Sequence, residues 1–202
     1  MAQTGTDQDA TRSRLVELAQ AMVEERGAVG LNLSELAARA GISQGHLSRY
    51  FESREELMEA IADHWFKPMA DIMEEVLASD LPPRRKMYEF FARRFLVMKK
   101  KWEADPAKLQ TYIEVGSDYF EQVRSYIDLA DHYLCELIAE AQADGFFAGL
   151  SIDEALSLIN QMISNYTLPD ALIYIGDKLT EQKLARIVDT MFIGLSGEAG
   201  AD

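Results

Sequence analysis

Apolar residues recur at helical spacing along nearly the whole of this chain. No segment alternates apolar and polar residues for long enough to make a strand. That regularity confines the fold to an all-α class. Leu15, Leu18, Ala19, Met22 and Val23 fall at i, i+3, i+4, i+7 and i+8, one apolar face of a first helix. Leu57, Ile61, Trp65, Ile72 and Val76 form a second stripe, and Met87, Phe90, Phe91, Phe95, Met98 and Trp102 a third. Ile152, Ala155, Leu156, Ile159, Met162, Ile163 and Tyr166 line one late helix, and Leu184, Ile187, Val188, Met191 and Leu195 the last.

Start and stop signals divide this pattern into about nine helices. Gly27 and Gly30 end the first. Asn32, with Glu35 three residues on, reads as a capping box for a short helix to Ala40. Gly41 breaks it, and Ser43 caps a helix reaching about Phe51. Ser53, with Glu56, opens a long fourth helix. Pro68 lies inside that helix and opposes the carbonyl of His64, so a kink or break is expected there. Asp105-Pro106 marks a helix entry, and Gly145 ends a long helix that begins near Asp118. Ser151 and Thr180 cap the two late helices, with Pro169 as an interruption. The tail Gly197–Asp202 is expected to fray. A seam near residues 50–60 separates a head, 1–54, from a body, 55–202.

The single cysteine, Cys135, excludes an intramolecular disulfide. The first ten residues are polar and acidic, unlike a secretory signal, and no apolar run approaches the roughly 18 residues of a membrane span. A cytoplasmic location without membrane attachment is expected. His64, His132 and one cysteine offer no metal-ligand spacing, and no nucleophile elbow, phosphate loop or zinc-protease signature occurs. Neither metal, cofactor nor catalytic residue is expected, and the chain does not read as an enzyme.

The formal net charge of −14 is unevenly spread. Residues 1–60 carry −4, residues 61–101 carry +3, and residues 102–202 carry −13. An acidic C-terminal half would repel a polyanion and help orient a head that binds one.

The stretch Leu33–Phe51, LSELAARAGISQGHLSRYF, carries the functional information. Ala37 is small where two helices cross, Gly41 supplies the turn, and Leu36, Ile42 and Leu47 face inward. Gln44, His46, Ser48 and Arg49 face outward, with side chains suited to base edges and phosphates. The pattern is a helix-turn-helix whose second member enters a major groove.

Residues 12–60 resemble the DNA-binding domain of the TetR family of regulators. The residues that carry the resemblance are Ala40-Gly41-Ile42-Ser43, the ending Arg49-Tyr50-Phe51, and Ser53-Arg54 at the start of the fourth helix. Ser48 stands where that family usually has a tyrosine on the phosphate backbone. The resemblance implies an N-terminal three-helix DNA-binding domain followed by a helical ligand-binding and dimerisation domain. It places Gln44, Gly45, His46 and Ser48 nearest DNA, Tyr50 and Arg54 on phosphates, and Ser34 on a further backbone or base contact. It also implies a homodimer on palindromic double-stranded operator DNA, joined through the helices near 152–167 and 181–195. The apolar candidates on those helices are Ile159, Met162, Ile163, Ile187, Val188, Met191 and Leu195. The expected function is a repressor released by a small, largely apolar effector. The candidate pocket residues are Phe66, Met69, Met73, Phe91, Phe95, Met98, Trp102, Tyr112, Tyr119, Tyr126 and Tyr133. The alternative is a helical dimeric binding or architectural protein without an effector.

Overall fold

The computed structural model describes residues 3–196; the tail expected to fray lies outside them. Among the described residues there are ten α-helices and no strand. They are α1 (Gln3–Arg26), α2 (Leu33–Ala40), α3 (Gln44–Leu47), α4 (Arg54–Leu77), α5 (Pro83–Ala104), α6 (Pro106–Asp118), α7 (Phe120–Ala143), α8 (Ile152–Thr167), α9 (Pro169–Ile175) and α10 (Glu181–Gly194). Short 3-10 turns occupy Ala28–Gly30 and Gly176–Lys178. The helix beyond the nine expected is α9. Pro169 does interrupt the chain, but it does so as the first residue of a new helix, where its missing N–H costs nothing.

Two compact units share the chain. The first holds the chain up to Lys67 together with Thr111–Arg124, and the second holds Pro68–Gln110 and the chain from Ser125 onward. The boundary between these compact units falls inside α4, at Pro68. The helix itself runs unbroken through the proline.

In the first unit, Leu15, Ala19, Met22 and Val23 of α1 close over Leu36, Leu47, Phe51, Leu57 and Ile61, all buried. Asn32 caps α2 by accepting from the Ser34 and Glu35 amides at 2.8 and 3.4 Å. The reciprocal half of the expected capping box is replaced: the Glu35 carboxylate is taken by Arg26 and Arg39. Gly41 closes α2 at φ 70°. The Ile42 amide reaches the Ala37 carbonyl at 3.0 Å and the Gly41 amide the Ala38 carbonyl at 3.2 Å. This paired closure of a helix end needs a left-handed residue at its centre, which glycine adopts without a Cβ clash.

The second unit is built around Phe90, Phe91 and Phe95 of α5, Leu134, Leu137 and Ile138 of α7, Ile159 and Ile163 of α8, and Leu184, Val188 and Met191 of α10, all buried. Ser151 caps α8 with the reciprocal bond to Glu154 that a capping box requires. Arg84 of α5 reaches Asp189 of α10 at the surface.

Candidate nucleic-acid interface

α3 is one turn long. Its N-cap Ser43 accepts from the His46 amide at 3.2 Å. The expected extension to Phe51 is present as tighter turns: the Arg49 amide bonds to the His46 carbonyl and the Tyr50 amide to that of Leu47. These i→i−3 bonds wind the chain into a narrower coil than an α-helix. Leu47 and Phe51 are each 1% exposed, so this short element is fixed by what lies beneath it.

The same geometry leaves a polar face outward. Gln44, Gly45, His46, Ser48 and Arg49 are exposed, as is Ser34 on α2. A Cβ on Gly45 would meet no atom within 4 Å, so the glycine leaves backbone bare for close approach by a partner. The Ser48 hydroxyl donates to the Gln44 carbonyl at 3.0 Å. Tyr50 is half-buried, its ring 5.6 Å from that of His46.

Arg54, which the resemblance places on a phosphate, also has partners within the chain. Its guanidinium donates to the Ala28 carbonyl at 2.6 Å and the Leu31 carbonyl at 3.3 Å, and it lies 5.5 Å from the centre of the Tyr119 ring. It ties the 3-10 turn to the start of α4 by satisfying carbonyls that a helix end leaves open. Arg39 is likewise occupied, bridging Glu25 and Glu35.

The expected pocket residues divide. Phe66, Tyr112 and Tyr119 line a cavity of about 60 Å³ in the first unit, with Trp65, Met58 and Val115. Trp65 stacks on Tyr112 with ring centres 3.5 Å apart. Its signal in the sequence was its place beside Phe66 on the α4 stripe. The Tyr112 hydroxyl donates to the Glu24 carboxylate of α1. Burial, then that carboxylate, push the hydroxyl far above its ordinary range, so it stays a donor. A wider depression open to solvent lies beside Arg54, Ala28, Val29, Asp118 and Tyr119.

The other candidates lie elsewhere. Met69, Met73, Phe91 and Phe95 are buried in the core of the second unit. Trp102 backs against Gly176, whose bare backbone makes room for the indole. Met98 is half-buried, Tyr126 accepts from Arg94, and Tyr133 donates to Glu74 at 3.0 Å. The dimer candidates divide as well. Ile159, Ile163, Val188 and Met191 are buried within the chain itself, whereas Met162 is exposed and Ile187 and Leu195 are half-buried. The exposed apolar side chains of this region are Leu158, Met162, Leu168, Tyr174 and Ile193.

Residues 15–61 match the family model for bacterial regulatory proteins of the tetR family, and residues 83–188 match that for a tetracyclin repressor-like C-terminal domain. The HTH-type transcriptional regulator in the dhlA 5′ region of Xanthobacter autotrophicus is 22% identical over 196 residues, covering 92% of this chain and 94% of that one. SmeT, the repressor of the Stenotrophomonas maltophilia multidrug efflux pump SmeDEF, shares the fold at a TM-score of 0.70 and 16% identity, over 93% of this chain and 91% of its own. FadR from Bacillus subtilis, solved in complex with stearoyl-CoA, does so at 0.65 and 16% identity, over 90% of this chain and 98% of its own.

Proposed function

The chain belongs to the TetR family of transcription regulators, and from that membership we propose that it is a repressor, dimeric on a palindromic operator and released when a small molecule binds. The observation that carries the DNA half of this reading is the exposed row Gln44, Gly45, His46, Ser48 and Arg49 above a sealed core. Such a row can reach base edges while the layer beneath holds it rigid. Gln44 and His46 are the base readers in this reading, and Arg49, Ser48, Tyr50 and Ser34 the backbone contacts. Arg54 positions the neighbouring turn.

Leu158 and Met162, one turn apart on α8, and Ile193 on α10 are exposed apolar side chains, and they support a second copy of this chain as partner. The effector half draws support from relatives of the same fold, one of which was solved with stearoyl-CoA. The effector acts by population shift between a state that fits the operator and one that does not. None of the described helices is long and apolar enough to cross a membrane, and the protein works in the cytoplasm, beside its DNA.

Selection of bound duplexes from a randomised library tests the DNA half. Wild-type protein should enrich a two-fold symmetric sequence with half-sites about one helical turn apart. Gln44→Ala should lose base preference at its position, at a cost of about 1–3 kcal/mol. Arg49→Ala should weaken binding without changing preference and flatten the salt dependence by about one counterion. Failure of the wild-type protein to enrich any sequence, at low or high salt, would refute the reading.

A further inference from the structure

The head carries little positive charge with which to meet a polyanion. Residues 1–60 hold six arginines and no lysine, and their net charge is −4. Three of the six are engaged within the fold. Glu35 and Glu25 meet the charges of Arg26 and Arg39, and Arg54 donates to the Ala28 and Leu31 carbonyls. The other three, Arg12, Arg14 and Arg49, are exposed. Arg49 stands in the polar row of the helix-turn-helix. Arg12 and Arg14 lie on α1, outside it.

The structure separates these two. A helix turns about 100° per residue, so Arg12 falls on the face of Leu15, Val16, Ala19 and Val23, all buried. Arg14 lies about 200° further round. Arg12 therefore stands where the apolar stripe of α1 would begin. Its guanidinium carbon lies 4.9 Å from the centre of the Phe51 ring. Phe51 is 1% exposed and ends the motif, next to Tyr50 and two residues past Arg49. A ring fixed in the core thus places the charge of an exposed side chain beside the end of the recognition element. A guanidinium attracted by a ring face is held without a counter-charge. Its fork of N–H donors can still take two phosphate oxygens.

We propose that Arg12 is a further phosphate contact on duplex DNA, made from α1 at the C-terminal end of the recognition element, with Phe51 holding the guanidinium ready. The proposal rests on the DNA-binding reading above and adds a second helix to the surface that meets the backbone. A phosphate carries no base identity, so Arg12 contributes affinity and register and leaves base preference to α3. In a head of net charge −4, one more exposed guanidinium is a large share of what attracts a polyanion.

The test measures binding of the full-length protein across a range of salt concentrations. Two duplexes are used, the sequence selected from a randomised library and an unrelated one. Arg12→Met keeps an apolar stem beside Phe51 and removes the charge. It should make the slope of log affinity against log salt shallower by about 0.9 for each protomer bound, on both duplexes, with base preference unchanged. Its unfolding temperature should match that of the wild type. Arg12→Lys should keep the wild-type slope, and so should Arg14→Met, which loses the same charge from the same helix. A wild-type slope in Arg12→Met, or an equal loss in Arg14→Met, overturns the proposal. A lowered unfolding temperature with the slope kept makes Arg12 a cover for Phe51 and overturns it too. The two duplexes separate this contact from the operator reading. A wild-type protein that selects no sequence, yet binds the unrelated duplex with a slope that depends on Arg12, keeps the contact and removes the operator. Selection of a palindrome whose salt dependence ignores Arg12 keeps the operator and removes the contact. No duplex binding at any salt overturns both.

Discussion

Around α3 and along α8 to α10, the chain uses one construction with two different chemistries. Beneath α3 lie Leu36, Leu47 and Phe51, sealed, and one residue away stand Gln44, His46, Ser48 and Arg49, exposed and polar. In α8 to α10 the sealed row is Ile159, Ile163, Val188 and Met191, and the exposed row beside it is Leu158, Met162, Tyr174 and Ile193. The sealed row sets the stability of each element. In the proposed function the exposed row sets its partner. A polar row with an exposed arginine suits a polyanion and gives binding that weakens with salt. An apolar row retains about 25 cal/mol per Å² of burial still to be gained from a partner and gives association that salt leaves largely alone.

The strongest way to break this division is to change the sealed row under α3. Leu47→Ala should destabilise the protein by about 3 kcal/mol, from lost transfer energy and the cavity left behind, as read by chemical denaturation. Operator binding should fall with it, although Leu47 touches no DNA. Gln44→Ala, three residues away, should leave the denaturation midpoint unchanged within about 0.5 kcal/mol while removing base preference. Equal stability in the two variants would mean that α3 is not held from beneath.

The same pairing of rows explains what the sequence made legible. The head is readable because its signals are local. Asn32, Gly41 and Ser43 each act on backbone within three or four residues, and the structure has each at the helix end where it was expected. The interface residues are not readable in this way. Ile159 and Met162 lie on one apolar stripe three residues apart, yet one is sealed and the other exposed. The stripe is broader than any one contact, and its division between core and surface depends on α5 and α10, which are distant in sequence. The burial of Arg94 was hidden for the same reason. Its neighbour Arg93 points to Glu75 at the surface, and nothing in the pair of arginines says which of them the fold encloses.

Lys86 and Glu140 sharpen the comparison through charge. The Lys86 ammonium donates to the Glu140 carboxylate at 2.8 Å and to the Leu77 carbonyl at 3.1 Å. Lys86 is sealed and Glu140 is 40% exposed, so removing the carboxylate strands a cation that cannot reach water. Glu140→Gln should destabilise by about 1–3 kcal/mol, less than a fully buried pair would because Glu140 is partly solvated. Lys86→Met, which removes the stranded charge and keeps the stem, should recover most of that loss in the double variant. A double variant no better than Glu140→Gln would show that the ammonium holds the Leu77 carbonyl and that its charge hardly matters.

The smallest effect is expected in the head, where Arg39 bridges Glu25 at 2.9 Å and Glu35 at 3.0 Å on the exposed side of the helix-turn-helix. The hydrogen bond from Arg39 holds the Glu25 carboxyl below its ordinary range. A group whose folded pKa is depressed contributes stability above its unfolded pKa and loses that contribution as pH falls through the folded value. Wild-type protein should therefore be slightly more stable than Arg39→Gln at neutral pH. The two should converge as pH is lowered from the ordinary carboxylate value, about 4.3, through the depressed one. Because all three side chains meet solvent, raising salt at neutral pH should bring the same convergence. A difference that survived both low pH and high salt would have to come from the Arg39 stem packing along α2. In that case an arginine placed on the exposed row would be holding the fold, and the division between a row that stabilises and a row that meets the partner would fail at the head, where it is most sharply drawn.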